Sequence, residues 1–121
     1  VLWSNLIRFD GTALPNGCGS LVDHPCEAAL LELQRGVLSC EIDSLRADTV
    51  IFLTGPNYDH VIRSEFGDAE FLAVGQNSVR LLSEVKSHSR RTRMIRTYHP
   101  AYLRRAGLFG RVAEEVIRFC L

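Results

Sequence analysis

At 121 residues the chain holds one domain and not two. A hydrophobic content of 46% with 23% charged residues excludes a disordered or fibrous chain. The formal net charge of zero excludes a uniformly basic nucleic-acid binder, yet the charge is unevenly placed. From Arg80 to Arg105, eight basic residues (Arg80, Lys86, Arg90, Arg91, Arg93, Arg96, Arg104, Arg105) face the single acid Glu84, a net +7; the remainder sets six basic residues against thirteen acids, a net −7. That asymmetry predicts a localised anion-binding face on an acidic body.

The apolar run of residues 1–8, with Leu2, Trp3, Leu6 and Ile7, reads as a buried strand bounded by Asp10-Gly11. A core strand at the first residue leads us to expect that the domain lacks its N-terminal part. Residues 9–25, with Gly11, Pro15, Gly17 and Gly19, read as loop. Helix is expected from about Pro25 to about Leu45, weakened in its middle by Gly36. Thr49 to Thr54 is a β-branched and aromatic run that fits a central parallel strand buried on both faces. A short helix or turn follows over Tyr58–Ser64. Strands are expected over Ala69–Val74 and Ser78–Val85, joined near Gly75-Gln76-Asn77, and over Arg93–Tyr98. The closing helix, Phe109–Leu121, carries Phe109, Val112, Val116, Ile117 and Cys120 at helical spacing.

This order of elements predicts an α/β fold, a single three-layer α/β/α domain over residues 1–121 with a mostly parallel central sheet. Ligands of such sheets collect at the carboxyl ends of the strands. Three segments fall at those ends: Asn5 onward, Gly55 to Asp59, and His99 to Leu103. Cys18, Cys26, Cys40 and Cys120 have neither metal-ligand pairing nor a disulfide framework, so reduced thiols in a cytoplasmic protein with no metal and no cofactor are expected. No apolar run approaches the roughly 20 residues of a membrane span, so no membrane partner is expected. His24, His60 and His88 read as solvated.

Pro100 forces His99 toward extended geometry and stiffens the turn, so the imidazole is held in place. Arg96, Arg104 and Arg105 surround it, and Tyr102 and Leu103 read as exposed. An apolar residue among arginines is what a side chain inserted into a base stack requires. Gly55-Pro56-Asn57-Tyr58-Asp59 reads first as a turn, while Tyr58 offers a ring that can stack on a base or sugar.

On these residues a resemblance rests. Tyr98-His99-Pro100-Ala101-Tyr102-Leu103 resembles the second signature of the uracil-DNA glycosylase superfamily, a His-Pro-Ser or His-Pro-Ala loop with an apolar wedge four residues after the histidine. Leu2-Trp3-Ser4-Asn5-Leu6-Ile7-Arg8 is similar to the superfamily's strand with a base-reading Asn. Asp48-Thr49-Val50-Ile51-Phe52-Leu53-Thr54-Gly55 resembles its Pro-x-Val-Ile-Val-x-Leu-Gly strand. The likeness corresponds to the later two-thirds of the family domain. It implies a monomeric hydrolase that cleaves the N-glycosidic bond of uracil, or a related damaged base, flipped from DNA. His99 would be the catalytic donor to the base anion, and Asn5 and Tyr58 would bind the base. Leu103 would fill the gap left by the flipped nucleotide. Pro100, Ala101, Tyr102, Arg93, Arg96, Arg104 and Arg105 would complete the DNA contacts.

The chain departs from the family pattern in three places. The first signature, which positions the attacking water, has no counterpart here. Phe9 and Arg35 stand where iron–sulfur branches carry cysteines, which implies no cluster. Pro56 removes a backbone donor from a possible phosphate contact. Two other readings remain open: a non-catalytic nucleic-acid-binding relative of the fold, and an unrelated α/β domain in which His99 is structural.

Overall fold

A computed structural model describes residues 2–6 and 27–121. The loop expected over 9–25, the helix start at Pro25, and Phe9, Cys18 and Cys26 lie outside the described residues. Two helices stand where one was expected. They are α1 (Glu27–Leu33) and α2 (Val37–Leu45), parted at Gly36, whose φ of 84° is the left-handed conformation that glycine adopts readily. The break frees the first amides of α2, and Glu65 satisfies two of them. Gly36 N–H and Ser39 N–H donate to its carboxylate at 3.1 and 3.0 Å, a remote residue doing the work of an N-cap.

Strands β1 (Thr49–Phe52), β2 (Glu70–Ala73), β3 (Leu82–Lys86) and β4 (Arg93–Thr97) form one open sheet in the order β1-β4-β3-β2. Only β1 and β4 pair in parallel, with Phe52 opposite Arg96; β2–β3 and β3–β4 are antiparallel. The described sheet is therefore mixed and mostly antiparallel, which corrects the expected mostly parallel one. Connection length explains the difference. Residues 87–92 are all that part β3 from β4, whereas a parallel crossover needs about a dozen residues or more. β1 also lies at an edge of the described sheet instead of its centre, and Ile51 is exposed.

β3 begins four residues later than expected. The segment 78–81 coils into a turn in which Leu81 N–H and Leu82 N–H donate to the Ser78 carbonyl at 3.0 and 3.1 Å. Its remaining carbonyls are taken by side chains of β4: Thr97 Oγ1 donates to Leu81 O at 2.8 Å, and Arg96 donates to Arg80 O and Val79 O at 2.7 and 3.0 Å. Those acceptors serve the site instead of the ladder.

Alternation along β4 sorts the core into two clusters. Met94 packs with Val85, Phe52, Ile42 of α2, and Ile62 and Phe66, the latter two from and just after α3 (Asp59–Glu65). Its neighbour Ile95 packs with Leu82, Leu103 of α4 (Pro100–Arg105) and Val112 of α5 (Phe109–Cys120). Successive strand residues point to opposite faces, so helices cover the sheet on both sides. On α5 the buried stripe is Val112, Val116 and Phe119, rotated from the expected one: Ile117 and Cys120 are exposed. Among the described residues no helix is long and apolar enough to cross a membrane.

Leu2 to Leu6 do not form the expected strand. The segment is irregular, with Leu2 and Trp3 exposed, and is tied down by side chains instead of a ladder. Ser4 Oγ donates to the Glu41 carboxylate, and Gln34 Nε2 donates to the Leu6 carbonyl at 2.9 Å.

Asp68 organises the turn between β3 and β4. It accepts from Ser87 Oγ at 2.6 Å, His88 N–H at 2.7 Å and Ser89 N–H at 3.3 Å. The Ser87 hydroxyl does most to hold its carboxyl below the ordinary aspartate range; desolvation opposes it, and the backbone amides, led by His88 and Ser89, add smaller lowering effects. A depressed carboxylate adds stability above its unfolded pKa and loses it as pH falls through the folded value. Protection of the His88 and Ser89 amides from exchange, taken relative to the free-peptide rate at each pH, is therefore expected to fall on acidification below the ordinary aspartate range. In Asp68→Asn that acid-dependent step should vanish; its persistence would assign the step to another group.

Candidate nucleic-acid interface

Because β1 and β4 run in parallel, their carboxyl ends open on the same side. The two segments that leave them are joined at once: Gly55 N–H donates to the Thr97 carbonyl at 2.9 Å. Gly55 has φ 70°, and a Cβ there would stand 3.1 Å from Tyr98 Cδ1. Only glycine lets the Tyr98 ring lie on this backbone. Tyr102 then stacks on Tyr98 with ring centroids 4.2 Å apart and planes 24° apart. Tyr98 is half-buried and Tyr102 exposed.

Pro100 opens α4 at a position where its missing N–H costs nothing, and it holds His99 extended at φ −57°, ψ 140°. His99 caps the helix through its ring: Nδ1 accepts from Ala101 N–H at 3.1 Å. A ring nitrogen that accepts carries no proton, so the neutral imidazole bears its N–H on Nε2. His99 is exposed. Chain and cap together fix a single hydrogen-bond donor at the end of the parallel pair.

Arg96 is not a phosphate ligand. It is 1% exposed and its guanidinium forks onto the Asp59 carboxylate at 2.9 and 3.0 Å, with further donations to the Val79 and Arg80 carbonyls. The expectation that it contacts DNA is corrected for a plain reason: Arg96 shares a sheet face with Met94, and that face is covered by α3. An arginine inside a strand, on the parity of an apolar neighbour, is a signal for a buried charge in need of a carboxylate. Asp59, read in the sequence only as a turn residue, is that carboxylate.

Leu103 is also displaced from its expected place. It is 3% exposed and packs with Leu82, Ile95 and Val112. Residues 100–105 are a helix instead of a loop, and on it Leu103 faces the sheet while Ala101, Tyr102, Arg104 and Arg105 face solvent. It does not project as a wedge.

Arg104 lies over the Phe109 ring at 4.9 Å, and neither it nor Arg105 joins an ion pair among the described residues. Arg93 lies at the opposite end of β4, over the Phe119 ring at 4.5 Å and donating to the Phe119 carbonyl. At about 3.3 Å per residue, the strand alone sets it some 13 Å from Thr97. Arg90 is paired with Asp43 at 2.7 Å. The basic stretch is thus divided: part is consumed in ion pairs, part lies at the far end of the sheet, and Arg104 and Arg105 remain beside His99.

Tyr58 is half-buried at the end of a 3₁₀ turn, Pro56–Tyr58, next to Asp59. Asn5 is exposed, and no hydrogen bond joins it to Tyr58 or His99 among the described residues; its neighbours are tied to Gln34 and Glu41 beside α1 and α2. The structure therefore brings together His99, Pro100, Ala101, Tyr102, Arg104 and Arg105, with Tyr98 and Gly55 behind them. It sets Asn5 and Arg93 apart, and it buries Arg96 and Leu103. Among the described residues no three His, Cys, Asp or Glu side chains converge as a metal site. Cys40 and Cys120 are free thiols.

Fold and site define an α/β domain with a mixed four-stranded sheet and an exposed His-Pro-Ala turn at the end of its parallel pair. No family model, no curated protein and no solved structure matches the chain.

Proposed function

We propose that this chain is a uracil-DNA glycosylase-like domain that loosens the N-glycosidic bond of uracil or a related base in DNA, working as a single chain. The observation that carries the reading is the capped imidazole of His99, whose Nε2–H is a fixed donor at a strand end where α/β sheets gather ligands. As the bond breaks, its electron pair leaves with the base, where a preset donor strengthens as negative charge builds, and water from solvent adds to the sugar C1′ and gives up a proton. Such a donor is worth about 10²–10³ in rate. Arg104 and Arg105 supply phosphate attraction without base preference. Tyr58 and Tyr102 supply the rings. Asn5, held beside α1 and α2, takes no role in this scheme.

The test is single-turnover release of uracil from a labelled oligonucleotide. His99→Ala is expected to slow release by about 10²–10³-fold at unchanged oligonucleotide affinity. Equal rates in both proteins, or no release by either while the oligonucleotide is bound, would overturn the catalytic role.

A second reading is favoured by one observation. With Leu103 in the core, no apolar wedge stands beside His99 among the described residues, and the resemblance assigns no residue here to positioning water. A non-catalytic relative that binds nucleic acid through Arg104, Arg105 and Tyr102 would show salt-sensitive binding and no base release.

A further inference from the structure

We infer that the site takes single-stranded DNA, binding it by stacking an already unpaired base on the outer face of Tyr102. This rests on the reading of the His99 surface as a DNA site and names the form of DNA it accepts.

Two independent placements lead to it. The first is Leu103. Extracting a base from a duplex costs a few kcal/mol of stacking, which wedge-bearing proteins offset by filling the gap with an apolar side chain. Here the apolar side chain of the turn is 3% exposed and engaged with Leu82, Ile95 and Val112. Bringing it out would open a hole in the core beneath α4. Among the described residues a duplex therefore meets no device on this surface that replaces a lost base.

The second is the tyrosine pair. Tyr98 is seated on the Gly55 backbone, where no side chain other than hydrogen fits without displacing its ring. It covers one face of Tyr102 at 4.2 Å. Tyr102 is 43% exposed, and no cation and no ring other than Tyr98 lies against it among the described residues. The result is a ring held in a set plane with a face turned to solvent. Proteins that hold unpaired strands combine such platforms with cationic side chains that follow the backbone, because every base has a π-face and any sequence can stack. Arg105, which joins no ion pair among the described residues, stands one turn along α4 on the Tyr102 side, and Arg104, on the other flank of the helix, rests over Phe109. His99 caps the same short helix, so a base stacked on Tyr102 is delivered to the neighbourhood of the Nε2–H donor. Tyr98 is a positioning residue in this arrangement; Tyr102 is the binding residue.

The experiment uses a uracil-free oligonucleotide carrying one 2-aminopurine, as a single strand and as a duplex, with the whole chain. We expect quenching of the 2-aminopurine emission on binding the single strand, and at least tenfold weaker affinity for the duplex. Tyr102→Ala should weaken single-strand binding by roughly 5- to 150-fold, the range for losing one base–aromatic stack, and abolish the quenching. Tyr102→Phe should keep both. Gly55→Ala, whose added Cβ would stand 3.1 Å from Tyr98 and displace its ring, should weaken binding. Equal affinity for duplex and single strand overturns the inference, as does Tyr102→Ala binding like wild type or quenching without Tyr102. Because no uracil is present, a failure here stands apart from failure of the glycosylase reading. Uracil release from duplex alone would overturn this inference and leave that reading intact.

Discussion

Arg96→Ala is expected to lower the unfolding free energy by about 3–5 kcal/mol, the usual cost of removing one partner of a buried ion pair. Arg96 holds Asp59 through two parallel N–H···O bonds and satisfies the Val79 and Arg80 carbonyls; it stands 3.4 Å from Ser83 Oγ and over the Phe71 ring at 5.4 Å. Truncation leaves a carboxylate whose side chain is 15% exposed facing a hole, and the Arg80 carbonyl without its donor, while the Val79 carbonyl keeps only Ser83 Oγ. Arg96→Lys should recover little, since an ammonium is a point charge that cannot span the carboxylate and both carbonyls at once. Combining Asp59→Asn with Arg96→Ala should cost less than the sum of the two single changes, because the uncompensated charge is gone. Urea unfolding monitored by circular dichroism measures the four variants against wild type. A loss below about 1 kcal/mol, or a lysine variant as stable as wild type, would mean that the fork does not hold the strand ends. The same residue separates stability from DNA contact. In a folded Arg96→Lys protein the salt dependence of oligonucleotide binding should be unchanged, whereas Arg105→Ala should lower its log–log slope by about 0.7 for a single strand.

Leu103→Ala is expected to cost about 2–5 kcal/mol of stability, the range for deleting a buried leucine. Leu103 closes the cluster formed by Leu82, Ile95 and Val112, and its carbonyl accepts from Leu108 N–H at 2.8 Å, where α4 turns toward α5. The void left by the missing atoms lies under the turn that carries His99 and Tyr102, so the surface above it loosens with the core. Leu103→Met should cost less than about 1.5 kcal/mol, since it nearly conserves volume. A wedge role predicts the reverse: no change in unfolding, and loss of base release from duplex in both variants. Thermal unfolding of the three proteins separates the two. An unchanged melting temperature in Leu103→Ala would place this side chain outside the core.

Much of the local structure was legible because it depends on neighbours in the chain. Gly36 marks the helix break, since no other residue takes a φ of 84° at comparable cost. Pro100 and His99 mark a stiff turn at a strand end, and the structure makes that turn the N-terminus of α4 with His99 as its cap. Thr49–Thr54 and Arg93–Tyr98 announce strands by their β-branched runs, and β1 and β4 occupy those segments. The antiparallel course of β3 and β4 was also within reach, because residues 87–92 are too few for a crossover. Weighing that connection would have replaced the parallel sheet with the mixed one.

What depends on partners distant in the chain was not legible. Arg93, Arg96, Arg104 and Arg105 read alike as a basic stretch, yet one lies over Phe119, one is sealed against Asp59, and two face solvent. Nothing local to Arg96 names Asp59, 37 residues earlier, as its partner; the pairing exists because parallel β1 and β4 bring their ends together.

The His99 turn shows the division most clearly. By itself the sequence determined a histidine held by a following proline, beside tyrosines and arginines, since proline restricts the residue before it wherever the chain goes. The tertiary structure alone decided which way the turn faces. Packing α4 on the sheet sends Leu103 inward, because burying a leucine is worth about 1.5–3 kcal/mol. The same packing leaves Tyr102 outward on Tyr98 and Gly55. Six residues in a row can form a helix from local preference, but which side of it is covered is fixed by the surface it meets.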